Sequence, residues 1–178
     1  ALREGERRPG GEDYQFTFDG TYAPEPGGQE RRVLPDGRYL MTVAAIDAGG
    51  QRVEASAEFV VEDADTDPPR LENVVANPTT ISPNFDAEDD ASLITFRLTK
   101  PSKLSMYVVN EEGQKVEVRM LDAPHDASEY TVQWNAVVND APLPDGEYQF
   151  VIAATDYAGN TTVASIPITL ASGGRPDA

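Results

Sequence analysis

The chain has 178 residues and a formal net charge of −17, with 31 acidic against 14 basic side chains. A surface of that sign repels phosphate backbones, which sets nucleic acid aside as a partner. No apolar run approaches 18 residues, so no membrane insertion is expected, and cysteine is absent, which excludes disulfides and thiolate metal sites.

In chain order, residues 1–12 lack apolar periodicity and read as a disordered or upstream-domain segment, and residues 1–20 contain no apolar core of a signal peptide. A strand is expected over YQFTFDG (14–20), a second from Gly37 to Asp47, and a third over RVEASAEFVV (52–61). Residues 63–70 form an acidic linker in which Pro68 and Pro69 cannot continue a sheet ladder. Seven further strand patterns follow: LENVV (71–75), SLITFRLT (92–99), SKLSMYVVN (102–110), QKVEVRM (114–120), EYTVQW (129–134), EYQFVIAATD (147–156) and TTVASIPITL (161–170). Their alternation is clear where Ile94, Phe96 and Leu98 oppose Leu93, Thr95, Arg97 and Thr99. Residues 172–178 read as a flexible tail. The fold class is all-β: tandem immunoglobulin- or fibronectin-III-like sandwiches, an incomplete one over 13–62 and a complete one over 71–171.

The chain writes one phrase twice, LPDGRYLMTVAAIDAGGQ from Leu34 and LPDGEYQFVIAATDYAGN from Leu143. The identical pairs include Pro35/Pro144, Asp36/Asp145, Gly37/Gly146, Tyr39/Tyr148, Asp47/Asp156 and Gly50/Gly159. Pro-Asp-Gly makes a turn. Tyr39 and Tyr148 then stand where a tyrosine corner bonds its hydroxyl to backbone just upstream. Asp47 and Asp156 end the strands and cap the turn amides, while Gly50 and Gly159 supply the positive φ. The phrase writes the last hairpin of a sandwich, and Trp134 is expected as the packing residue of the second one. Before that hairpin the second copy carries five strands and the first carries one, too few to cover both faces of a core. An upstream part of the same polypeptide, or a cleaved partner chain, is expected to complete the first sandwich.

The residues from Asn77 to Val116, then YTVQWNA and PLPDGEYQFVIAATDYAGN, resemble the Ig-like domain first described in the flagellar hook-capping protein, which recurs at the C-termini of secreted bacterial proteins. Two departures stand out. The glycines of that family's SPNGDG wording are Phe85 and Ala87 here, and its WDG is Trp134-Asn135-Ala136. The first copy, FTFDGTYAPEPGGQERRVLPDGRYLMTVAAIDAGG, is similar to the fibronectin-III-like domains that follow the catalytic domain of subtilisin-like secreted and cell-envelope proteases. These resemblances imply a secreted or cell-surface location and a non-catalytic accessory region, which spaces, docks or positions substrate for a protease domain upstream. Alternatives are a cell-surface adhesin or glycan-binding module, and a structural assembly protein of the hook-cap type.

No catalytic residue is named, because the single histidine, His125, lies in a loop pattern without a nucleophile partner. Calcium is the one cofactor the sequence suggests. Asp63, Asp65 and Asp67 alternate along the linker, so an extended chain would put three carboxylates on one side. Asp86, Glu88, Asp89 and Asp90 form a second acidic group, with a solvated acidic loop as its alternative reading. Tyr22, Phe85 and Tyr157 are aromatic residues expected on loops.

Overall fold

A computed structural model describes residues 5–25, 28 and 30–172. Residues 1–4 and 173–178, at the ends of the expected upstream segment and flexible tail, lie outside the described residues. The described chain is all strand and loop, and it divides into two compact units, residues 1–67 and 68–178.

The described residues of the first unit form four strands: β1 (Thr21–Tyr22), β2 (Arg32–Val33), β3 (Gly37–Ile46) and β4 (Arg52–Val61). They form two separate two-stranded ribbons, β1–β2 and β3–β4. The strand expected over residues 14–20 does not form. This segment has no ladder to join, and an isolated extended chain leaves its backbone groups to water. Its Phe18 packs on the next ribbon, ring edge-on to Phe59 at 5.3 Å. Tyr22, expected on a loop, lies in β1. That small ribbon is stitched by polar groups, since the Asp19 carboxylate accepts from Thr21 N at 3.0 Å and Thr21 Oγ1 at 2.7 Å.

The second unit carries β5 (Leu71–Asn77), β6 (Thr80–Ile81), β7 (Ser92–Leu98), β8 (Ser102–Asn110), β9 (Lys115–His125), β10 (Glu129–Trp134), β11 (Val137–Val138), β12 (Ala141–Pro142), β13 (Gly146–Asp156) and β14 (Thr161–Leu170). A three-stranded sheet, β10–β7–β5, and a five-stranded sheet, β6–β14–β13–β8–β9, make the two layers of a sandwich. All pairings are antiparallel except β14 with β6. Strand β5 runs two residues past the expected end, because a bulge between Glu72 and Val75, with Asn73 at φ 54°, resets its alternation.

Strict alternation fills the space between the layers. Ile94 and Phe96 of β7 meet Leu104, Met106 and Val108 of β8 and Phe150, Ile152 and Ala154 of β13, all fully or almost fully buried. Each large apolar side chain so buried contributes about 1.5–3 kcal/mol. Trp134 is fully buried, edge-on to Tyr148 at 6.1 Å and to Phe150 at 6.2 Å, and its Nε1 donates to Glu117 Oε2 at 2.8 Å. The indole therefore loses no hydrogen bond on burial.

Candidate functional site

The carboxylates proposed for calcium are not brought together. Among the described residues no group of three or more His, Cys, Asp or Glu side chains could hold a metal ion. In the linker the reason is backbone direction: Asp63 takes φ 56°, which breaks the extended alternation that would align it with Asp65 and Asp67. In the second group the loop's own amides take the carboxylates. Asp90 accepts from Phe85 N and Ala87 N, both at 2.8 Å, and Asp86 accepts from Glu88 N at 2.9 Å and Asn84 Nδ2 at 2.9 Å. Glu88 and Asp89 join no such group either. The sequence shows acidic spacing, but it does not show that backbone N–H groups compete for the same oxygens.

His125 is not in a loop but ends β9, half-buried. Its Nδ1 lies 2.9 Å from the Ala123 carbonyl, which can only accept, so this nitrogen carries the proton. Its ring stands edge-on to Tyr130 at 5.1 Å. Phe85 and Tyr157 are strongly exposed, at 72% and 69%.

The repeated phrase gives the most informative geometry. In both copies the tyrosine hydroxyl donates to the proline carbonyl four residues back, Tyr39 to Pro35 at 2.7 Å and Tyr148 to Pro144 at 2.8 Å. Burial raises the pKa of Tyr148, and the nearby charges of Asp145 and Glu111 add to this, so the phenol remains a donor. In both copies the Pro-Asp-Gly aspartate ties down the chain leaving the hairpin. Asp36 Oδ1 accepts from Ala64 N at 2.7 Å, and Asp145 Oδ1 accepts from Ser172 N at 3.0 Å and Ser172 Oγ at 2.6 Å. The Ser172 bonds hold the Asp145 carboxyl below the usual carboxylate range.

The closing turns also match. Gly50 N bonds Asp47 O at 3.1 Å with Gly50 at φ 83°, and Gly159 N bonds Asp156 O at 3.1 Å with Gly159 at φ 89°. This is a tight turn followed by a left-handed residue. Asp47 Oδ1 accepts from Gly49 N at 2.8 Å and Gln51 N at 2.9 Å, as Asp156 Oδ1 accepts from Ala158 N at 3.0 Å and Asn160 N at 2.8 Å.

What differs is the surroundings. β13 pairs with β14 on one side and β8 on the other, whereas among the described residues β3 pairs with β4 alone. The residues of β13 that face the core, Phe150, Ile152 and Ala154, are fully buried. Their counterparts in β3 are Met41, Val43 and Ala45. With Ala57, Ala55 and Val53 opposite them on β4 they make an apolar face, on which Val43 is 50% and Val53 68% exposed. Asp156 Oδ2 accepts from Lys100 Nζ at 2.7 Å and Asn160 Nδ2 at 3.1 Å, with its side chain 2% exposed. The counterpart Asp47 is exposed, and among the described residues no basic side chain pairs with it.

No curated protein matches the chain. A likeness in structure is found to dimeric latent PorU from Porphyromonas gingivalis, with a TM-score of 0.45 and 12% identity. It covers 81% of this chain and 13% of that one. Residues 64–153 match the CopC domain, from the linker through β5 and into β13, and the chain belongs to the CopC domain family.

Proposed function

We propose that this chain is a non-catalytic accessory region of a secreted multidomain protein, acting as a spacer and docking module that positions a catalytic or binding domain. The host we favour is a subtilisin-like serine protease, on the resemblance of residues 16–50 to the domains that follow such catalytic domains. The observation that carries the reading is the contrast between the two hairpins. One is built into a closed sandwich, while the other has the same turn and capping residues but an uncovered apolar face. A hairpin of this kind is stable as part of a larger layered assembly. The remainder of its sandwich would come from an upstream part of the same polypeptide or from a cleaved partner chain.

CopC domains bind copper, and the donor set here does not fit that metal. Copper favours clustered imidazole and sulfur ligands. The chain has one histidine, no cysteine and three methionines, of which Met106 is buried in the core and Met120 packs against it. No step of the proposed function runs through copper, and an extracytoplasmic location is proposed on the family and the two resemblances together.

The test is the intact mass of the native polypeptide that carries these residues, detected with an antibody to the chain. The reading predicts a species larger than 19.3 kDa that includes a catalytic or binding domain. A native species of 19.3 kDa and no other would contradict it.

A further inference from the structure

From the charge and pattern of the uncovered hairpin, we propose that the open edge of β3 takes up one antiparallel strand. Its occupant is an extended segment with alternating apolar residues, led by a lysine or arginine that closes on the Asp47 carboxylate. The inference rests on the accessory reading and names the chemistry of the docking partner.

The chain contains the template. In the second unit β8 lies along β13 with Asp156 opposite Ser102, Ala154 opposite Leu104, Ile152 opposite Met106 and Phe150 opposite Val108. All four β8 residues of that set are buried. Two residues before Ser102, Lys100 turns its ammonium onto Asp156. Transferred to the first unit, the same register sets alternate residues of the incoming strand beside Met41, Val43 and Ala45, and a cation two residues before the strand beside Asp47. Alternate backbone N–H and C=O groups of β3 point away from β4, and an added strand satisfies them as β8 does for β13.

Charge selects this occupant over a second copy of the chain. Two copies at −17 repel one another, which disfavours pairing β3 with β3. A segment led by a basic residue is attracted to the same edge, and its cation meets a carboxylate already oriented by two turn amides.

The probe is the synthetic peptide KPSKLSMYVVN, the sequence of residues 100–110, added to the 15N-labelled 178-residue chain. Amide exchange and chemical shifts are followed by NMR. The expected result is half-saturation below about 1 mM, with exchange at alternate β3 amides slowed at least about tenfold and β13 unchanged. A peptide carrying Lys100→Glu, and the chain variant Asp47→Asn, should each weaken binding by about tenfold. Asp47→Asn keeps an oxygen for the turn amides, so the hairpin remains formed.

Absence of peptide-dependent protection at β3 would overturn the proposal, as would protection centred on another element. Equal affinity for the wild-type chain and Asp47→Asn would overturn the charge assignment. Protection of β3 in the chain alone, rising with protein concentration, would identify a second copy as the occupant and overturn it as well. A native mass of 19.3 kDa would remove the accessory reading while leaving this binding result intact.

Discussion

Three hairpins close with one arrangement of atoms, and each part is a single residue. Asn110 Oδ1 accepts from Gln114 N at 2.8 Å, and Gly113 N bonds Asn110 O at 2.9 Å with Gly113 at φ 75°, as in the turns at Asp47 and Asp156. The two Asp turns are legible in sequence because they lie in a repeated phrase. The third carries asparagine in place of aspartate, and in sequence it shows only as the Glu112-Gly113 turn signal. Opposite cases occur at Phe85, Ala87 and Ala136, whose φ values are 65°, 73° and 54°. These are the positions where the hook-cap wording has glycine, so the backbone keeps a left-handed turn that the side chains oppose. A Cβ at Gly113 would meet nothing within 4 Å, so Gly113→Ala isolates the backbone cost and should destabilise by about 1–2 kcal/mol. Ala87→Gly should do the reverse, by about 0.5–1 kcal/mol after the added freedom of the unfolded chain. Urea unfolding of both variants checks the pair, and equal midpoints would refute the assignment.

Asp156 belongs to the same scale. Burial works to raise its pKa, but the Lys100 ammonium and the amide donors of Asn160 outweigh it and hold the carboxyl below its usual value. A depressed folded-state pKa means stability that is present above the unfolded value of about 3.9 and lost as pH falls through the folded one. Asp156→Asn should therefore cost about 2 kcal/mol at pH 7. The gap from wild type should shrink on acidification below about pH 4. Urea midpoints at pH 7 and pH 3 measure it, and a gap that stayed constant would show that the charge is not the source.

At the scale of elements, alternation decides what the sequence reveals. Strands β4, β8, β10 and β14 have the bounds their patterns predict, because each has a neighbour that turns a periodic pattern into a ladder. Residues 14–20 carry a comparable pattern without a neighbour, and no strand forms. β9 runs on to His125, past a shift of register at Asp122, where φ is 47°. Such irregularities depend on the partner strand, so spacing within one segment cannot report them. The acidic groups fail for a related reason, since spacing gives the side of an extended chain only while the chain stays extended.

For the whole molecule, two copies of one hairpin meet different fates. The second is covered by β8 and by the β10–β7–β5 sheet, and the first keeps its apolar face in solvent. The all-β class could be read from sequence, which also raises the expectation that strands of the first unit are missing. The direction, register and charge of the strand that would complete its edge could not, because these come from how β8 sits on β13. The most direct measurement is amide hydrogen exchange of the 178-residue chain alone. The β3 amides turned away from β4 should exchange at least about a thousandfold faster than the corresponding amides of β13, which bond to β8. Equal protection of the two strands would contradict this, because the edge of β3 would then already be occupied.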